Sequence, residues 1–185
     1  MKRKVICLTG QSAVGKSTIA KELGKELEIP IFSLGDYQRE KFSSYGDPTN
    51  YHKQLGIEAT YYGLWGEYLS KIESTISQRG IIIEGVYGKD LLEKIGKLLH
   101  KDQLYNIHIT APYQKRLDFF MLKGKTSDPK EAPGMIDALD QIKIKVGMLP
   151  LIASADITVT NDRTINDAVK NIADFVLALR RDPDA

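Results

Sequence analysis

The chain has 185 residues, 42% hydrophobic and 27% charged, with a formal net charge of +2. That length and balance suit one globular domain, 1–185, with a substantial core. The small net charge gives no ground for a nucleic-acid or membrane partner, no apolar run approaches membrane-spanning length, and the single Cys7 excludes an internal disulfide.

The first predicted element is a strand over Lys4–Thr9, apolar from Val5 to Leu8. Cys7 sits mid-strand and reads as a small buried hydrophobe. Lys2-Arg3-Lys4 before an apolar stretch has the outline of a signal peptide, but the stretch is too short, so the expected location is the cytoplasm.

The strand runs into Gly10-Gln11-Ser12-Ala13-Val14-Gly15-Lys16-Ser17, followed by Thr18 and a helical stripe of Ile19, Ala20, Leu23 and Leu27. This is G-x-x-x-x-G-K-[ST] in its confirming context of strand, loop and helix. Gly10 and Gly15 let the loop curl with its N–H groups inward around an anion, and the helix N-terminus adds positive potential. In this chemistry Lys16 reaches the β- and γ-phosphates and the Ser17 hydroxyl ligates Mg²⁺. Ser12, Ala13, Val14 and Thr18 complete the expected nucleotide cradle.

A second strand is expected over Ile29–Leu34, leading into Gly35-Asp36-Tyr37-Gln38-Arg39 at the start of a helix. Asp36 reads either as that helix's N-cap or as a ligand for a hydroxyl or for metal-bound water. Arg39 reads as a solvated charge or as a fork for an acceptor phosphate. Residues 43–54 are polar and turn-rich and read as a loop. A long helix is expected from Leu55 to Arg79, with Ile57, Tyr61, Leu64, Tyr68, Ile72 and Ile76 as its apolar stripe. Its early aromatics, Tyr61, Tyr62 and Trp65, serve the core or stack on a ligand.

Further strands are expected over Ile81–Glu84, Leu104–Thr110 and Asp156–Thr160. Between the last two, residues 123–135 read as a lysine-bearing mobile loop. Asn161 and Asp162 follow the last strand. The final helix opens at Thr164 with Asp167 three residues on, a capping-box variant, and carries Ile165, Ala168, Val169, Ile172, Val176 and Leu179 inward. His52, His100 and His108 are too scattered for a zinc site. Short strands, apolar on both faces and alternating with helices, imply a doubly wound α/β sheet.

Taken together, Gly10–Thr18, Gly35-Asp36-x-x-Arg39 and the strand ending in Glu84-Gly85 resemble the nucleoside-monophosphate kinases. The chain is similar in particular to compact adenylate-kinase-like and dephospho-CoA-kinase-like P-loop proteins. That likeness rests also on Thr110-Ala111-Pro112-Tyr113-Gln114-Lys115-Arg116-Leu117, Ser127-Asp128-Pro129 and Ala155-Asp156-Ile157-Thr158-Val159-Thr160-Asn161-Asp162. The resemblance implies a three-layer α/β/α P-loop NTPase fold around a five-stranded parallel sheet. It implies an acceptor-binding segment at 43–79 and a lid at 123–140. ATP with Mg²⁺ is the expected donor, and a small phosphorylated molecule, such as a nucleoside monophosphate, the expected acceptor. Lys16, Asp36, Arg39 and Arg116 are the implied catalytic residues. Ser17, Glu84 and Asp36 would organise the metal, and Asn161 would lie near the adenine. Lys123 and Lys125 stand where such lids carry arginines, and no arginine follows Glu84-Gly85. A hydroxyl acceptor of the dephospho-CoA type and a nucleotide-occupied switch therefore stay open. A monomer or dimer is expected.

Overall fold

The computed structural model describes residues 2–46, 48–100, 102–124 and 126–178. Five strands form one sheet: β1 (Lys4–Thr9), β2 (Ile31–Ser33), β3 (Gly80–Glu84), β4 (Gln103–Thr110) and β5 (Ile157–Thr160). They lie in the order β2-β3-β1-β4-β5. Every pairing is parallel. Nine α-helices are found among the described residues: α1 (Lys16–Leu27), α2 (Leu34–Lys41), α3 (Pro48–Thr60), α4 (Trp65–Thr75), α5 (Lys89–Leu98), α6 (Tyr113–Leu122), α7 (Ala132–Lys145), α8 (Met148–Ala153) and α9 (Ile165–Ala178).

Alternation of side chains along β1 explains the layers. Ile6 and Leu8 face a core built with Ile19 and Leu23 of α1 and Ile172 and Val176 of α9. Val5 and Cys7 face a second core with Tyr68 and Ile72 of α4 and Leu91 and Ile95 of α5. A central strand buried on both faces must be apolar throughout, which is why the β1 sequence does not alternate. The result is the three-layer P-loop kinase fold. Parallel strands bring Thr9, Ser33, Glu84 and Thr110 to one sheet edge, where such folds place their ligands.

The expected long helix from Leu55 to Arg79 is broken. The chain turns at Gly56, with φ of 78°. It leaves the helix at Tyr61, makes a 3-10 turn over Tyr62–Leu64 and resumes as α4. The apolar stripe still faces inward across the break, with Tyr61, Leu64, Tyr68 and Ile72 all buried. Tertiary hydrogen bonds produce the break. Gln38 Nε2 donates to the Thr60 carbonyl at 2.8 Å, and the Tyr61 hydroxyl accepts from the Tyr87 and Gly88 N–H groups at 3.2 and 3.0 Å. Beyond Thr75 the chain turns through Ser77, whose Oγ accepts from the Gly80 N–H at 3.2 Å.

Two loop expectations are also revised. Residues 43–54 hold a 3-10 turn at Ser43–Tyr45 and the first half of α3. Of the expected 123–140 lid, the part from Ala132 onward is helix α7, opening with Pro133 in its first turn where a missing N–H costs nothing. Lys125 and Leu179 lie outside the described residues. The capping box is present: the Asp167 N–H donates to Thr164 Oγ1 at 3.1 Å, and Asp167 Oδ2 accepts from the Thr164 N–H at 3.2 Å. That bonding holds the Asp167 carboxyl below its usual range.

Candidate active site

The loop between β1 and α1 needs left-handed backbone at three points. Gly15, with φ of 93°, is the N-cap of α1, and Gly10 has φ of 143°. Ala13 adopts φ of 59°, an uncommon conformation for a residue with a Cβ. Asn161 braces this turn, its Nδ2 donating to the Val14 carbonyl at 3.0 Å. A Cβ on Gly15 would stand 2.5 Å from that Nδ2, so a glycine is required there.

Lys16 curls back over the loop, its Nζ donating to the Gly10 and Gln11 carbonyls at 2.9 and 2.7 Å. Burial lowers its pKa to about 8, against the opposing pull of Glu84 and Asp140. Glu84, at the C-terminal end of β3, accepts from Ser33 Oγ at 2.7 Å. Ser33, not Asp36, is the N-cap of α2, since its Oγ accepts from the Asp36 N–H at 3.2 Å.

Ser17, Asp36 and Glu84 line one cavity of about 360 Å³ on the α2 side of the loop. Their hydroxyl and carboxylate oxygens are the hard donor set that suits Mg²⁺ and its water shell. Asp36 is 67% exposed and ion-paired with Arg39 one turn on.

A larger cavity than this one, about 460 Å³, lies between the loop and α2, α3 and α7. Lys16, Ser17 and Glu84 line one part of it. Gln38, Arg39, Tyr51, His52, Tyr61 and Tyr87 line another, and Leu139, Ile142, Lys143 and Val146 of α7 form a wall. Of the three early aromatics, Tyr61 reaches this cavity, while Tyr62 and Trp65 pack in the core on the α4 side of the sheet. His52 Nδ1 lies 2.6 Å from Thr60 Oγ1, which donates to the Gly56 carbonyl at 2.6 Å. The hydroxyl proton is therefore engaged, which assigns the imidazole proton to Nδ1 and leaves Nε2 an acceptor. Burial lowers the His52 pKa to about 4, so the ring is neutral near pH 7. A smaller cavity of about 170 Å³ lies outside the loop, bounded by Ala13, Gly15, Thr18, Phe119, Lys123 and Ile165.

Arg116 does not occupy the place expected of it. Its Nε donates to the Ser12 carbonyl at 2.9 Å, and its Nη2 pairs with Asp140 Oδ2. Asp140 Oδ1 accepts from the Ser12 N–H at 2.7 Å. All three residues are buried. Arg116 thus holds one peptide of the phosphate loop and is not free to meet a moving phosphoryl group.

Sequence reasoning missed Asp140, Lys143 and His52. Asp140 is a lone acidic residue on a helix, which sequence reasoning gives to solvent, Lys143 stands in the segment after the expected lid, and His52 lies in an expected loop. The signal available was Lys143's place in the stripe Leu139, Ile142, Val146, where a charge is out of character.

A family model described as an AAA domain matches residues 6–132. A UPF0200 protein of Pyrococcus abyssi is 26% identical over 179 residues, covering 91% of this chain and 92% of that protein. Among solved structures, shikimate kinase from Bacteroides thetaiotaomicron aligns with a TM-score of 0.62 at 16% identity, covering 96% of this chain and 99% of that one. A gluconokinase from Sinorhizobium meliloti aligns with a TM-score of 0.63 at 14% identity, covering 98% of each chain. At those identities the likeness is one of fold.

Proposed function

The chain belongs to the AAA domain family and has the P-loop kinase fold, and on that premise we propose that it is an ATP-dependent phosphotransferase acting on a small phosphorylated acceptor. A (deoxy)nucleoside monophosphate is the acceptor class favoured. One observation carries this reading. Lys16 and Ser17 line the same cavity as Arg39, so a phosphate donor and an anionic acceptor can share one partly enclosed space.

In this reading the loop amides from Ala13 to Thr18 and the N-terminus of α1 hold the ATP phosphates. Lys16 leaves the Gly10 and Gln11 carbonyls and turns its ammonium onto the γ-phosphate. Phe119, Lys123 and Ile165 bound the slot for the adenine, and Asn161 acts through the loop it braces. Ser17, Glu84 and Asp36 would hold Mg²⁺, which supplies charge neutralisation between the terminal phosphates. Arg39 clamps the acceptor phosphate, and Tyr61 and Tyr87 wall its organic part. A phosphate nucleophile is already ionised at pH 7, so the residues have only to align it and exclude water. Chain 1–185 works as one unit, with 43–79 supplying acceptor contacts and α7 standing where a lid closes.

The second reading is a hydroxyl acceptor, favoured by the fold likeness to a shikimate kinase and a gluconokinase. It requires a base, and Glu84 is the one carboxylate lining the large cavity among the described residues. The test is ADP formation from ATP and Mg²⁺ against nucleoside monophosphates, dephospho-CoA, shikimate and gluconate, with Lys16→Ala as the blank. Stimulation by one monophosphate is expected. Stimulation only by an acceptor that reacts through a hydroxyl, whether dephospho-CoA, shikimate or gluconate, makes the second reading correct. ATP binding with no acceptor response points to a nucleotide switch. Full activity in a folded Lys16→Ala protein would remove the loop from the mechanism.

A further inference from the structure

Lys143 is an ionisable group that nothing above employs. It projects from α7 between Leu139, Ile142 and Val146, in a stripe otherwise apolar, and lines the large cavity. Its side chain is 12% exposed, and its nearest carboxylate oxygen, on Asp140, is 4.0 Å away. That carboxylate is already engaged by Arg116 and the Ser12 N–H. The Lys143 ammonium lies 4.7 Å from the centre of the Tyr87 ring, and Lys16 lies 5.8 Å from the same ring. Two cations therefore approach one aromatic side chain, one from the phosphate loop and one from α7.

The charges do not balance. Around Lys143, the cations Lys16 and Arg116 are set against Glu84 and Asp140, so Lys143 itself adds an excess of positive charge beside a partly enclosed cavity. Burial and the neighbouring Lys16 and Arg116 push the Lys143 pKa well down, with Asp140 and Glu84 pulling the other way. A folded protein keeps such a group where a ligand supplies the missing anion. Arg116 of α6, which also reaches the loop, is locked in its brace.

We propose that Lys143 binds the transferred phosphoryl group from the α7 side of the cavity, opposite Lys16, in the role that Arg116 is unable to take. The inference rests on the phosphotransferase reading and adds to it a residue from a separate element. A lysine in this place neutralises charge without imposing the planar fork of an arginine. It also couples donor binding to the position of α7, since the ammonium reaches the phosphate only with α7 packed against the loop.

The test compares ATP and ADP affinities, with Mg²⁺, for the wild type, Lys143→Met, Lys143→Arg and Lys16→Ala, alongside thermal unfolding of each ligand-free protein. A charged contact to the γ-phosphate predicts that Lys143→Met weakens ATP by roughly tenfold or more while barely changing ADP. Lys143→Arg is expected to retain part of the preference for ATP. Ligand-free Lys143→Met is expected to melt no lower than wild type, because an uncompensated cation has been replaced by an apolar chain of similar length. An unchanged ATP-over-ADP preference in Lys143→Met overturns the proposal, and so does a marked fall in its melting temperature with equal loss of both nucleotides. If the wild type binds neither nucleotide, the phosphotransferase reading itself fails. If it binds ATP and Lys143→Met keeps the preference, the role of Lys143 alone falls.

Discussion

Lys16 shows how one buried cation links stability to ligand binding. Its pKa is about 8 in the folded chain against an ordinary 10.5, chiefly through burial, with Lys123 and Arg116 pushing the same way and Glu84 and Asp140 opposing. A lysine whose folded pKa lies below its unfolded value carries a stability cost that is complete below about pH 8. The cost fades as the pH rises from about 8 towards 10.5, where the unfolded chain still holds the proton the folded chain has released. On the proposed function ATP binding follows the opposite course, because phosphate favours the charged ammonium. ATP affinity is therefore expected to be greatest below about pH 8 and to decline above it. Titrating ATP at a series of pH values across that range checks this. A flat profile would mean that Lys16 keeps an ordinary pKa and that the loop does not bury it.

The brace between α6, α7 and the phosphate loop is a matter of elements. Arg116 and Asp140 hold the Ser12 peptide by its carbonyl and its N–H, so the loop is tied to two helices that follow it by a hundred residues or more. Removing one partner leaves the other charge buried and uncompensated. Asp140→Ala is therefore expected to cost about 3–5 kcal/mol in urea unfolding, more than Asp140→Asn, which keeps an acceptor for the Ser12 N–H. Equal and small losses in the two variants would show that the pair contributes nothing net. The same elements show what the sequence could disclose. The loop and its flanking strand and helix were legible because the motif and the local pattern agree over residues 4–27. The break between α3 and α4 was not, because Gln38 and the Tyr87–Gly88 backbone impose it from distant parts of the chain. For the same reason the sequence hides the brace to Ser12 made by Arg116. Its partner, Asp140, is one more acidic residue on a helix until α7 is folded against Ser12.

At the scale of the whole molecule, β1 joins everything. One face of that strand carries the core under α1 and α9, the other the core under α4 and α5, and its C-terminal end becomes the phosphate loop. A ligand held at that loop reports on both cores at once, and neither core is complete without the shared strand. Thermal unfolding is therefore expected to be a single cooperative transition, as for one domain. Saturation with ATP and Mg²⁺ should move that transition as a unit. With free nucleotide near a hundred times the dissociation constant the stabilisation is about 2.7 kcal/mol. For a chain of this length that corresponds to a rise of roughly 5–10 °C. Lys16→Ala should keep a single ligand-free transition and lose the rise. A second transition that ATP leaves in place would mean that the segment carrying α3, or the helix α7, folds as a separate unit, and the single-unit reading of 1–185 would fall. A shift preserved in Lys16→Ala would place the nucleotide somewhere other than the loop at the end of β1.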